Sequence, residues 1–193
     1  MGSRTSPISM ANRVIETARL ILRPITIRDV DMLHQIWTEP EVRDYLWDGE
    51  IIATDRVRSL VDTSLQSFKE KGFGLWAIWL RQMDSLIGFC GFWLFHDPPK
   101  LELLYGVSSA HWHKGLATEA ARAMLNYGFD ELSFDRIEAS TDVANLASIR
   151  VMDKAGMTFW KREITNGLDT IYYSISREDQ RSQFSEGGDR AKD

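Results

Sequence analysis

His111-Trp112-His113-Lys114-Gly115-Leu116-Ala117-Thr118-Glu119-Ala120-Ala121 follows a strand-like segment, Leu101 to Val107, and opens a strongly helical one. A loop of this kind points successive backbone N–H groups outward just where a helix begins. The unpaired amides and the positive end of the helix dipole then form a site for a phosphate or pyrophosphate. Gly115 and Ala117 are small, so an anion can approach the backbone. Lys114 adds a mobile positive charge. The stretch lacks the two-spaced glycines of the dinucleotide fold and the Gly-Lys-Ser/Thr of the P-loop. Taken alone, it reads equally well as an ordinary helix start with one glycine.

The flanks assign it a place in a sheet. After the loop, residues 115–131 set Leu116, Ala117, Ala120, Ala121, Met124, Leu125 and Gly128 on one helical face. Arg136 to Thr141 is a short strand. A strand, a crossover helix and a second strand imply parallel pairing of 101–107 with 136–141. Ligands favour the carboxyl ends of such strands.

Further out, the pairing turns antiparallel. Phe73–Leu80 and Leu86–Phe95 are apolar runs joined by a hairpin connector, Arg81–Ser85. Asp97-Pro98-Pro99 breaks the chain before the next strand. Thr54 reads as the N-cap of a helix reaching Lys71 and stopped by Gly72. Thr17–Pro24 reads as a first strand, a helix follows Asp29, and Glu41–Trp47 is a short helical piece. Asn145–Ala155 is the last main helix. Met157–Ile164 and Asp169–Ser176 form a final hairpin turning at Asn166-Gly167. The expected fold is α+β: a mixed, mostly antiparallel sheet of about seven strands with a central parallel pair and about four helices. Residues 1–13 are expected to be a flexible leader, 14–176 a single domain, and 177–193 a polar, frayed tail.

Composition narrows the class. A chain of 193 residues, 44% hydrophobic and 26% charged, suits one soluble domain. No apolar run is long enough for a membrane span, and Met1–Arg13 lacks the apolar core of a signal peptide. Cys90, the single cysteine, excludes an internal disulfide and reads as a small buried hydrophobe. A reducing cytoplasm is the expected compartment. The net charge of −5, with no basic run, argues against a nucleic-acid partner and suits a cationic substrate such as an amine. His34, His96, His111 and His113 show no metal-ligand spacing, so no metal is expected.

Asn145 and Ser148 form a second constellation. Three residues apart, they share a helix face and can address one ligand. They also read as an N-cap and a first-turn residue.

Together, Thr17–Pro24, Glu102-Leu103-Leu104-Tyr105-Gly106-Val107, Trp112–Ala120 and Asn145–Met157 resemble the GNAT superfamily of acyl-CoA-dependent N-acetyltransferases, in its order and spacing. Within it, the chain is most similar to the branch of ribosomal-protein N-terminal acetyltransferases and their amine-modifying relatives. The resemblance covers roughly residues 15–176. It implies a GNAT-like sheet whose parallel pair splays apart, with acetyl-CoA as acyl-donor cosubstrate. It places the pyrophosphate on Trp112, His113, Lys114, Gly115, Leu116, Ala117 and Thr118. It places the pantetheine arm along Tyr105, Gly106 and Val107, and Asn145 near the thioester. An amine acceptor, either a peptide N-terminus or a small amine, is the implied partner, and dimerisation is compatible with this branch. His113 stands where a glycine is common, and Leu104 stands where the branch often carries Gly and a strand bulge.

Acyl transfer needs an amine freed of its proton, a polarised carbonyl and a stabilised leaving thiolate. Glu102 matches the branch's glutamate and is the candidate base, against a solvated strand carboxylate. Many family members carry a tyrosine as thiolate donor at the position that is Met152 here, so Ser148 is the candidate replacement. A backbone N–H near Val107 is expected to meet the oxyanion. Tyr45 and Trp47 are candidate walls of an acceptor pocket, Glu102 is also a candidate substrate-binding residue, and Asp44, Asp48 or Glu50 can attract a cation. They read equally as packing aromatics and a solvated acidic loop. A non-catalytic acyl-CoA-binding sensor is the alternative from a different class.

Overall fold

In a computed structural model, residues 13–95, 98–165 and 167–187 are described. Most of the expected leader, His96, Asp97 of the break, Asn166 of the final turn and the last six residues of the tail lie outside them. The elements run β1 (Ile15–Glu16), β2 (Leu20–Pro24), α1 (Val30–Trp37), α2 (Pro40–Leu46), α3 (Thr54–Lys71), β3 (Leu75–Leu80), β4 (Ser85–Phe95), β5 (Lys100–Val107), α4 (Leu116–Asp130), β6 (Arg136–Asp142), α5 (Leu146–Ala155), β7 (Thr158–Thr165), β8 (Leu168–Ser176) and α6 (Arg177–Gly187). Single 3-10 turns precede α1 at Ile27–Asp29 and α4 at Ser109–His111.

Among the described residues, eight strands form one sheet in the order β1-β2-β3-β4-β5-β6-β8-β7. Every neighbouring pair is antiparallel except β5–β6. Helices cover both faces of the sheet. Ile25, Val30, Leu33, Trp37, Val57 and Val61 build one core with Ala77 and Phe89. Ala120, Met124, Met152, Ile78, Phe92 and Leu103 build the other. Covered on both sides, β3 and β4 each bury a continuous run of residues on both faces and leave none exposed. Their sequences are therefore near-continuous apolar runs rather than alternating ones.

Four local readings change. The chain adds a two-residue strand, β1, so the sheet has eight strands. Thr17–Arg19 is a turn rather than strand, because Thr17 N–H bonds Leu20 O at 2.9 Å. Ala53, extended at φ −70° and ψ 150°, takes the N-cap position of α3, and Thr54 is its first helical residue. The polar tail continues as α6. The Ser176 N–H bonds Asp179 Oδ2 and the Asp179 N–H bonds Ser176 Oγ, each at 3.1 Å, a reciprocal cap. Gln180 Nε2 then reaches Asn126 Oδ1 on α4. That Ser-x-x-Asp spacing is legible in the sequence and signals a helix start.

Candidate active site

Strands β5 and β6 register in parallel at Glu102↔Glu138 only, although β5 runs on to Val107 and β6 to Asp142. Beyond that point the sheet opens. The Ser108 N–H bonds Ile87 O at 2.8 Å, which sets the alternation on β5. Even-numbered residues bond towards β4, while Tyr105 and Val107 turn their backbone groups into the opening. One of these groups is already engaged, since Trp112 Nε1 donates to Val107 O at 2.7 Å. The β4–β5 register continues without a shift, so Leu104 introduces no bulge. Gly106 lies under the Phe89 ring, where an added Cβ would come within 2.6 Å of it.

The loop from Ser108 to Gly115 closes the carboxyl end of this opening. Glu39 Oε2 holds the Ser109 N–H at 2.7 Å. Lys114 folds back, Nζ to Ala110 O, at 2.9 Å. Arg19 donates to Lys114 O at 2.8 Å and pairs with Glu119 at 2.6 Å, which ties the loop to the first turn of α4. His113 and Gly115 both take left-handed backbone, at φ 59° and φ 72°. Glycine suits that region; histidine is strained there. Gly115 is the N-cap of α4 and no side chain caps the helix. The first amides of α4, at Leu116, Ala117 and Thr118, have no intrahelical acceptor. Leu116 offers only its backbone, because its side chain is buried in the core. Partial burial and the Lys114 ammonium push the His111 imidazole down against the pull of Glu39.

Across the opening, Asn145 caps α5. Its Oδ1 accepts from the Ser148 N–H at 3.1 Å. The capping reading of Asn145 therefore holds for its oxygen. Among the described residues its Nδ2 has no protein acceptor, so the amide remains a donor for a ligand. The Tyr105 hydroxyl lies 3.0 Å from Ser148 O and 2.9 Å from Ser148 Oγ. Burial pushes the Tyr105 phenol up despite the Ser148 bond. Met152 is fully buried in the core.

The opposite face of β5 carries Glu102, which is only 2% exposed and so is no solvated strand carboxylate. Ser140 Oγ donates to its Oε2 at 2.5 Å. Tyr172 lies beside them on β8. Burial first, then the Glu102 and Glu163 carboxylates, push its phenol up against a bond with Thr165. The loop after α2 borders this side. Trp47 packs on Trp37 at 5.6 Å between ring centroids, with the Arg56 guanidinium 5.5 Å from its ring. Tyr45 is 46% exposed. Burial, then the Asp48 carboxylate, push the Asp142 carboxyl up at the end of β6. A groove of about 530 Å³ follows α4 beside β1 and reaches Gly115 and Thr118 of the loop; neither Glu102 nor Ser148 lines it.

Residues 19–158 match the acetyltransferase (GNAT) domain family. The chain belongs to the GNAT acetyltransferase family. It is 32% identical over 142 residues to an N-acetyltransferase of Bacillus licheniformis called p20, covering 71% of this chain and 78% of that one. A GNAT-family acetyltransferase structure from Bacillus anthracis superimposes with a TM-score of 0.72 at 26% identity, over 86% of this chain and 99% of that one. The aminoglycoside acetyltransferase AAC(6')-Ib in complex with coenzyme A superimposes with a TM-score of 0.70 at 18% identity, over 85% and 99%, a likeness of fold.

For a GNAT domain, the side chains that sequence reading missed are those that support the site from other elements. Arg19 and Glu39 hold the loop, and Ser140 and Tyr172 surround Glu102. No local pattern marks them, because each is defined by a partner 38 or more residues away or on another strand. Among the described residues, no group of three or more His, Cys, Asp or Glu is arranged to hold a metal ion. No described helix is long and apolar enough to cross a membrane.

Proposed function

We propose that this protein transfers an acetyl group from acetyl-CoA to a primary amine by direct attack in a ternary complex. The observation that carries the reading is the parting of β5 from β6 beyond Glu102↔Glu138, directly ahead of the uncapped N-terminus of α4. This arrangement fits the cosubstrate. The α4 amides and the loop from Trp112 to Thr118 suit a diphosphate. The backbone of Tyr105 and the Val107 N–H face the opening, where amides of an extended arm can pair. The Val107 carbonyl does not serve, because Trp112 already occupies it. Acetyl-CoA, when bound, supplies an activated acyl carbon.

The chain's own groups divide the remaining work. Glu102, held by Ser140, takes the proton from the acceptor ammonium, directly or through water, and so frees the lone pair that attacks. The Val107 N–H meets the oxyanion, and Ser148 donates to the departing sulfur. Asn145 Nδ2 donates near the thioester. Holding amine and thioester together is the largest contribution, up to ~7–11 kcal/mol for good orientation. The Asp48 and Asp142 carboxylates, which act on each other, favour a cationic acceptor, a peptide N-terminus or a small amine, with Trp47 as a wall. The acidic balance of the chain and its reducing-compartment cysteine usage support a cytoplasmic enzyme.

A second reading has one observation in its favour. Met152 is a buried core residue at the position of the family's tyrosine donor, as in an acyl-CoA sensor that does not turn over. One experiment separates them: thiol release from acetyl-CoA with peptides beginning with Ala, Ser or Thr, polyamines and aminoglycosides. Release with any of these supports the transferase. Acetyl-CoA-dependent thermal stabilisation without release supports the sensor.

A further inference from the structure

We propose that Tyr105 is a positioning residue for departure of the thiol, its phenol setting the direction in which the Ser148 hydroxyl donates. This inference rests on the acetyl-transfer reading. Tyr105 leaves β5 on the same side as Leu103 and Val107, towards the core under α4 and α5. From there it meets the first turn of α5. Its hydroxyl lies 3.0 Å from Ser148 O and 2.9 Å from Ser148 Oγ, and these are its hydrogen-bond partners among the described residues.

A phenol has one proton to give, and both Ser148 oxygens are within reach. When that proton points at the carbonyl, the phenolic oxygen accepts the Ser148 proton and turns the serine hydroxyl into the protein. When it points at Oγ, the Ser148 proton is released to an acceptor on the cleft side. Hydrogen bonds to a charged acceptor are roughly twice as strong as neutral ones. Negative charge gathering on sulfur therefore favours the second arrangement, and Tyr105 then strengthens Ser148 as a donor.

The step balances without a proton leaving Tyr105. Glu102 takes the ammonium proton, directly or through water, and passes it to solvent; the freed lone pair forms the C–N bond, and the proton that the nitrogen then sheds follows the same route. The C–S bond breaks and its electron pair stays on sulfur. The thiolate accepts a hydrogen bond from Ser148 Oγ and takes a proton from solvent after release. Burial pushes the Tyr105 phenol up, so it stays a neutral donor throughout. The resemblance gives a tyrosine donor to the α5 position that is Met152 here. In this chain a phenol reaches the same helix from β5 instead.

The test uses the full chain with Tyr105→Phe, Ser148→Ala and the double variant. Each is assayed for thiol release from acetyl-CoA with an amine that the unaltered protein acetylates, and for acetyl-CoA binding. Tyr105→Phe keeps the ring, so packing is preserved. The expected result is a kcat lower by about tenfold, the size of one lost hydrogen bond. The KM and Kd for acetyl-CoA stay within about twofold, so the loss lies in the chemical step. The double variant falls no further than Ser148→Ala, because the two hydroxyls act as one unit. An unchanged kcat for Tyr105→Phe overturns the proposal. So does a loss that adds fully to that of Ser148→Ala, or one confined to acetyl-CoA binding or to the ligand-induced rise in Tm. If the unaltered chain binds acetyl-CoA but releases no thiol with any amine, the acetyl-transfer reading fails first and this proposal with it. That failure is distinguishable because it appears before any substitution.

Discussion

Ser140 reaches across the seam between β6 and β5 to donate to Glu102 Oε2 at 2.5 Å, just past the one residue pair at which these strands register. The bond holds a buried carboxylate beside the opening, while Tyr105 leaves the same strand on the other face. In the proposed mechanism, proton acceptance and support of the leaving group therefore fall on opposite sides of β5.

Glu102→Gln is expected to lower kcat/KM by about 10²-fold near neutral pH, the scale of a lost general base. The deficit should shrink at alkaline pH, where the acceptor amine is already deprotonated. Initial rates of thiol release across pH check this, and a deficit of equal size at every pH argues against the role. Ser140→Ala is expected to cost less, about three- to tenfold, because the carboxylate remains but loses its tether.

The proposed site gives Asn145 a second duty beside its observed cap. Asn145→Ala removes the cap and is expected to cost about 1 kcal/mol of stability. Asn145→Asp keeps an oxygen for the Ser148 N–H but loses the Nδ2 donor. It should unfold in urea like the unaltered chain while its KM for acetyl-CoA rises. Equal KM values for the unaltered chain and the aspartate variant would leave Asn145 as a cap alone.

His113→Gly relieves a non-glycine residue at φ 59°. The expected gain is about 1 kcal/mol. In a chain of this size that is a rise of roughly 2–4 °C in Tm, measured by thermal melting. No gain would mean that the imidazole makes a compensating contact in the loop.

Asp29 makes folding pH-sensitive. Burial alone would raise its carboxyl, but bonds from Arg23, the Thr26 N–H and the Thr26 hydroxyl hold it below the ordinary value of 3.8. Its folded pKa is therefore the lower one, so its contribution is full above the unfolded value and fades as pH falls through the folded one. Asp29→Asn is expected to cost roughly 2–3 kcal/mol at pH 7 and to lose most of that difference as pH falls below the ordinary carboxylate value. Urea titrations at pH 7 and at low pH compare the two.

The loop and its helix were legible because their signals are local. Gly115 must supply a left-handed cap, and the apolar residues of α4 recur at helical spacing. The parallel pair followed from connectivity alone. Thr54 and the start of β2 were misplaced by one to a few residues, since a neighbouring extended residue and a turn bond decided those ends. The helix in the tail was missed although Ser176 and Asp179 announce it.

The sequence by itself determined the order of elements, the crossover that makes β5 and β6 parallel, and the family motifs carried on them. Those depend on residue type and spacing along one stretch of chain. Only the tertiary structure decided that Trp112 occupies the Val107 carbonyl, that Ser140 buries its bond with Glu102, and that the Tyr105 hydroxyl meets Ser148. Each such contact needs a rotamer and a strand separation fixed by packing of distant segments, and no local pattern encodes either one.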